Sequence, residues 1–265
     1  MTEFRGRHYA WEYSLQGHGP LLVHLHGWNG HRDYFIKRCG PFLENDYALC
    51  CVQLPSFDEG SGLRPEMDAL CEDLGLFLGA LGHRELYLSG YCLGAVISLD
   101  FALRKPGGIK RLVLIEPTLE FPCGLGILRW PWLGPWVLKQ VLRSRLGEAL
   151  IRSLFLYGDE HPDGLLLKLF KEVHIPSSLA YLEMLWGYSR RDHRLRLEEG
   201  TPPPMTILRG DKTQSRVKRS CELLCHYFES DLLVQPNAGH FVFESAPDLL
   251  QKVLGSKNVE TGQTF

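Results

Sequence analysis

Short, near-continuous apolar runs recur along this chain, and helical periodicity fills the intervals between them. Leu21-Leu22-Val23-His24-Leu25 ends at His26-Gly27, and Tyr47 to Leu54 is stopped by Pro55. Leu86-Tyr87-Leu88-Ser89 is stopped by Gly90, and Leu112-Val113-Leu114-Ile115 is closed by Pro117. Met205-Thr206-Ile207-Leu208 ends at Gly210, and Leu232-Leu233-Val234 at Pro236. Runs this short and this apolar suit strands covered on both faces, as in a parallel sheet. Between them, Met67, Leu70, Leu74, Phe77 and Leu81 form one stripe. Ala95, Leu99, Ala102 and Leu103 form a second, and Val217, Cys221, Leu224 and Phe228 a third. Spacings of three and four put each set on one face of a helix. The alternation predicts an α/β fold, a mostly parallel sheet flanked by helices and joined by right-handed crossovers.

The alternation breaks at residues 118–200, which are helical in character and offer no strand. This stretch holds Trp130, Trp132, Trp136 and Trp186, four of the chain's six tryptophans, and the run Leu165-Leu166-Leu167. Thr201-Pro202-Pro203-Pro204 closes it off. The expected organisation is a core of residues 1–117 and 201–265 carrying a helical cap insertion over 118–200. The tryptophans and leucines there either pack as ordinary core or line an apolar pocket beneath a lid. Gly255 to Phe265 reads as a frayed polar tail.

Composition narrows the function classes. Formal net charge is -2, and the basic clusters are short, so nucleic acid is not an expected partner. No signal-peptide run opens the chain and no apolar stretch is long enough to span a bilayer. The eight cysteines are scattered, with Cys50 and Cys51 adjacent. In a leaderless chain they read as reduced thiols of a cytoplasmic protein. Cys221 and Cys225 sit one helical turn apart but lack further ligands, so no metal is expected. No phosphate-binding glycine loop appears, so no cofactor is implied.

The segment that carries chemistry is Leu88-Ser89-Gly90-Tyr91-Cys92-Leu93-Gly94-Ala95. It follows a strand and opens a helix, the context of a nucleophile elbow, G-x-S-x-G, here with cysteine at the centre. The turn is tight enough that side chains at the positions of Gly90 and Gly94 would meet neighbouring backbone. The central residue is strained and stands above the sheet. The helix N-terminus behind it favours a thiolate. Without chemistry Cys92 would be a small buried hydrophobe replacing a lost serine, and the elbow context weighs against that.

Over nearly its full length the chain resembles the α/β-hydrolase superfamily. His26-Gly27-Trp28 follows an early strand, where that family places its oxyanion loop. Gly90-Tyr91-Cys92-Leu93-Gly94 stands at the elbow, and Asn237-Ala238-Gly239-His240-Phe241 where the family carries its histidine. The resemblance implies Cys92 as nucleophile and His240 as general base, with the Trp28 and Leu93 amides as oxyanion hole. The family often places its acid in the loop after the strand Met205–Leu208, three residues beyond the glycine. Here that position is Thr213, and Asp211 lies nearby. Some members, certain haloalkane dehalogenases among them, take the acid from an earlier strand, where this chain has Glu116. Asp211 is the favoured acid and Glu116 the alternative. His26 is expected to orient the oxyanion loop and His24 to be a satisfied core histidine. His31, His161, His174, His193 and His226 show no partner pattern.

These residues imply acyl-group hydrolysis of an ester or thioester through an acyl-cysteine intermediate. The acyl substrate is a small molecule, apolar or aromatic, and a carrier-protein or CoA thioester is a possible donor. Two readings compete. One is acyltransfer to an amine, alcohol or thiol, because an acyl thioester reacts readily with such acceptors. The other is a non-catalytic ligand-binding protein that kept the pocket and lost the chemistry, for which the irregular acid position speaks.

Overall fold

The computed structural model describes residues 2–58, 62–82, 85–120, 123–155, 164–190 and 201–255. His161, His193 and the tail after Gly255 lie outside them. The strands, in chain order, are β1 (Thr2–Arg5), β2 (Ala10–Gln16), β3 (Leu21–Leu25), β4 (Ala48–Gln53), β5 (Leu86–Tyr91), β6 (Ile109–Ile115), β7 (Met205–Gly210) and β8 (Asp231–Gln235). They form one sheet in the order β1-β2-β4-β3-β5-β6-β7-β8. β1 and β2 pair antiparallel with their neighbours, and every other pairing is parallel.

All six apolar runs become strands. β1 and β2 are additions the sequence did not disclose, because they lie at the edge and are largely solvated. What pins them is charge. The buried Asp73 accepts hydrogen bonds from the backbone N–H groups of Arg7 (2.7 Å) and Tyr9 (2.7 Å) in the β1–β2 turn. His8 N–H and the Trp11 indole N–H donate to the same carboxylate.

Helices α1 (Arg32–Leu43), α2 (Met67–Leu81) and α3 (Leu93–Arg104) belong to the first half. α8 (Ser215–Tyr227), α9 (Val242–Ser245) and α10 (Leu249–Gly255) belong to the second. β3 shows why its run is continuous. Leu21, Val23 and Leu25 enter the core beneath α2, α3 and α8, with Leu70, Leu99 and Leu224. Leu22 enters the opposite core, with Phe35, Val253 and Leu254 from α1 and α10. A strand flanked by helices on both faces has no polar side.

Between β6 and β7 the described residues contain helices and no strand. A 3-10 helix (Cys123–Arg129) leads into α4 (Leu133–Arg143), α5 (Arg145–Phe155), α6 (Leu165–Lys171) and α7 (Ile175–Ser189). The start of α7 rests on the loops after β3 and β4. Trp28 Nε1 donates to the Ser178 carbonyl (2.8 Å), Phe57 N–H to Ser177 Oγ (2.7 Å), and Tyr181 Oη to the Pro55 carbonyl (3.0 Å). Among the described residues, no helix is long and apolar enough to cross a membrane.

Candidate active site

Cys92 sits between the end of β5 and the start of α3, with φ 51 and ψ -107. A non-glycine residue at this φ costs on the order of 1–3 kcal/mol, and packing must hold it there. The glycines on either side supply that packing. A Cβ at Gly90 would fall on the Gly94 carbonyl, and one at Gly94 on the carbonyls of Leu25 and His26. α3 therefore starts pressed against the ends of β5 and β3. The Cys92 N–H donates to the Ile115 carbonyl (2.8 Å), locking the turn to β6.

His240 lies in the loop after β8 and is buried. Tyr91 Oη, buried under the elbow, donates to the His240 carbonyl and stacks against Phe241. The imidazole faces two partners. Its Nδ1 is 2.9 Å from Glu116 Oε2, and the other side of the ring is hydrogen-bonded to the Cys92 thiol. The partner of His240 is thus Glu116 and not Asp211, the residue favoured above. Glu116 ends β6 with φ 52 and has no solvent exposure. Its Oε1 accepts the Gly210 N–H at 2.6 Å, and its Oε2 accepts Thr213 Oγ1–H. Asp211 instead accepts the Ala238 N–H (3.2 Å) and pairs with its neighbour Lys212 (3.5 Å). It ties the loop after β7 to the loop that carries His240. The spacing at which the resemblance leads one to expect an acid falls on Thr213, whose hydroxyl donates to Glu116 from the neighbouring strand's end.

The electrostatics follow from these contacts. Burial alone pushes the Cys92 thiol up. The hydrogen bond and charge of His240, Thr118 Oγ1 at 3.5 Å and the Trp28 backbone N–H outweigh it, and the thiol lies below its ordinary value. Burial likewise pulls the His240 imidazole down, but Cys92 and Glu116 carry it up to about 10. The two shifts have one cause: a thiolate and an imidazolium stabilise each other out of water. The other described cysteines with resolved shifts, Cys39, Cys50, Cys51, Cys71 and Cys221, are buried and pushed up by that burial.

Trp28 and Leu93 flank the sulfur. Trp28 presents its N–H to the sulfur, and Leu93 is the first residue of α3. The Trp28 loop is fixed by His26. Leu54 N–H donates to His26 Nε2 (3.0 Å), so His26 Nδ1 carries the proton it gives to the Gly27 carbonyl (2.8 Å). Burial pulls this imidazole down to about 4, which keeps it neutral. His24 stacks on Phe35 at 3.6 Å and meets Ser89 Oγ at 2.8 Å, a satisfied core position. His31 caps α1 and His174 meets Ser177 Oγ.

Two openings reach this centre. An apolar one is walled by Tyr34, Leu166, Leu169, Phe170 and Phe241 and opens onto Cys92 and His240. A wider, more polar cleft runs past Trp28 and Leu93 toward Glu12, Gln53 and Glu172. The insertion contributes to the apolar wall through its leucine run and Phe170. Trp130, Trp132 and Trp136 do not fulfil either expectation stated for them, since they are 63%, 89% and 59% exposed. The inward stripe of α4 is Gly134, Leu138 and Leu142, which turns Trp136 outward.

Sequence and structural comparison agree with this architecture. The family described as "alpha/beta hydrolase fold" matches residues 20–144. A pimeloyl-[acyl-carrier protein] methyl ester esterase of Aeromonas hydrophila is 29% identical over 150 residues, 55% of this chain and 57% of that protein. The chain thus spans little more than half the length of this and similar relatives. An esterase of the same description from Nitrosospira multiformis is 23% identical over 88% of this chain and 92% of its own. The structure of an esterase from Exiguobacterium antarcticum superposes with a TM-score of 0.74 at 18% identity, over 96% of this chain and 97% of that one. The chain has the α/β-hydrolase fold.

Proposed function

We propose that this α/β-hydrolase-fold protein hydrolyses an ester or thioester through an acyl-Cys92 intermediate, with His240 and Glu116 completing a triad and residues 118–200 forming a cap. The observation that carries the reading is the hydrogen-bonded chain Cys92–His240–Glu116, half-buried at the sulfur and buried beyond it, in which the thiol is lowered and the imidazole raised. The thiolate adds to the substrate carbonyl. The oxyanion forms against the Trp28 and Leu93 N–H groups. His240 gives its proton to the departing alkoxide or thiolate as the tetrahedral species collapses to the acyl-cysteine. It then takes a proton from water, whose hydroxide adds to the thioester, and returns a proton to the Cys92 sulfur as the acid leaves. Glu116 holds the imidazole by Nδ1 and balances the imidazolium.

The apolar wall beside Cys92 fits an aliphatic or aromatic acyl group. The relatives described as methyl ester esterases of an acyl-carrier protein support ester cleavage, and a carrier-bound acyl chain is among the substrates to test.

Intact-mass spectrometry after incubation with p-nitrophenyl acyl esters tests the reading. An acyl adduct is expected on the native chain, absent from Cys92→Ala and much diminished in His240→Ala. Decay of that adduct in water is expected to match turnover. Faster decay with an added amine or thiol would make the protein a transferase. No adduct and no released nitrophenol at any chain length would sink the proposal.

A further inference from the structure

The cap turns an unusual face to solvent. In α4 the inward stripe is Gly134, Leu138 and Leu142, so the opposite face should be polar. It instead begins with Trp132 and Trp136 and continues through Lys139, Gln140 and Arg143, all exposed. Trp130 stands one turn earlier, its carbonyl accepting the Gly134 N–H at 2.8 Å. Ile127 (45% exposed) and Leu146 (82%) extend the apolar area at its two ends. Burying these rings in the protein is not what keeps them there, because Trp132 is 89% exposed.

The charge on this face is one-sided. Residues 123–147 contain Arg129, Lys139, Arg143 and Arg145 and no acid, in a chain whose acids outnumber its bases, 31 to 29. Arg129 is already paired with Glu183 at 2.8 Å and lies over the Trp186 ring. Lys139, Arg143 and Arg145 make no ion pair among the described residues.

We propose that this face docks on an anionic lipid surface. The rings of Trp130, Trp132 and Trp136 enter the headgroup region, and Lys139, Arg143 and Arg145 meet the phosphates. Tryptophan suits that depth because its ring is apolar and its indole N–H still needs a polar partner. Clustered cations next to it add attraction to anionic headgroups. A second copy of this chain fits less well, because pairing the face with itself would bring the three unpaired cations of each copy together. An acidic protein would need a pocket for the Trp132 ring, which is 89% exposed, whereas a fluid headgroup layer receives it as it is.

The test uses the full chain and sedimentation with phosphatidylcholine vesicles, with and without phosphatidylglycerol. The native chain is expected to bind the anionic vesicles, to be released by salt, and to bind neutral ones weakly. Replacing Lys139, Arg143 and Arg145 with glutamine is expected to weaken binding on the order of 100-fold, about fivefold per cation. The triple variant Trp130→Ser, Trp132→Ser and Trp136→Ser is expected to abolish the blue shift of tryptophan emission on vesicle addition. Thermal unfolding and cleavage of a short soluble ester are measured on every variant to show that the fold is kept. The proposal is overturned if the native chain stays in the supernatant, or if folded variants bind as it does. It is also overturned by binding to soluble poly-glutamate without vesicle binding, or by a native dimer that the tryptophan variant dissociates.

Discussion

At the scale of single residues, the chemistry proposed here depends on how Cys92, His240 and Glu116 share charge. Cys92 is held at a positive φ by contacts on both sides, and its thiol is lowered only because His240 and its other partners outweigh burial. Alkylation of Cys92 by iodoacetamide should therefore rise with pH along a curve centred below the value of an ordinary thiol. In His240→Ala, burial is left without its strongest counterweight, and the same curve should move above that value. A curve that stays put in the variant would show that His240 does not set the thiol. Near and above about 10, where the imidazolium loses its proton, the thiolate loses its cationic partner. Turnover should fall there, because the leaving group is no longer protonated. The acid can be assigned by a paired comparison. Glu116→Gln should lower kcat/KM at least about tenfold, since the charge that balances the imidazolium is removed. Asp211→Asn should stay within about twofold, because its contacts are to a loop amide and a lysine. The reverse order would restore Asp211 as the acid.

The elements matter because the elbow is a junction of β5, α3 and β3 with no room to spare. Gly94→Ala would drive a methyl group into the Leu25 and His26 carbonyls. It should cost about 1–3 kcal/mol in urea unfolding, the range for overpacking a tight site. It should also lower activity, since the same carbonyls begin the Trp28 loop. The β1–β2 hairpin depends on one carboxylate. Asp73→Ala strips the acceptor from three backbone N–H groups and the Trp11 indole. A loss of about 2 kcal/mol or more is expected, from several N–H groups left without an acceptor. Hydrogen exchange should show residues 7–11 opening first. Unchanged exchange there would mean that the hairpin is held by its packing on Phe77.

For the whole molecule, the coupling that stands out joins the helices between β6 and β7 to the loop after β3. The backbone of Trp28 faces the Cys92 sulfur while its indole N–H grips the Ser178 carbonyl in the first turn of α7. Trp28→Phe keeps an aromatic ring, though a smaller one, and removes that bond. A fall in kcat of a few-fold is expected, with a smaller change in KM for a short ester, because an oxyanion donor acts on the transition state. Equal loss for short and long esters would place the effect at the oxyanion loop. Loss confined to long acyl chains would place it in the cap.

Much of this architecture could be read from local pattern. Continuous apolar runs need helices on both sides, and helical stripes need a sheet to cover, so the parallel α/β core follows from residue order alone. The elbow is equally legible, because a strained turn between strand and helix requires glycine two residues before and two residues after Cys92. The edge hairpin was not legible, because its strands are half-solvated and its anchor, Asp73, lies more than sixty residues away in sequence. The tryptophans of the cap misled for the opposite reason. Apolar character does not say which way a helix turns, and only its neighbours decide that. The carboxylate partner of His240 shows the division most clearly. Sequence placed Asp211 and Glu116 at the ends of two strands and favoured Asp211, whereas His240 pairs with Glu116. Only the pairing of β6 beside β7 puts the Glu116 carboxylate under His240, with Gly210 and Thr213 from the next strand's end holding it there. Local sequence decides which elements form and where a turn is tight. Which two distant side chains share a hydrogen bond depends on how those elements are stacked.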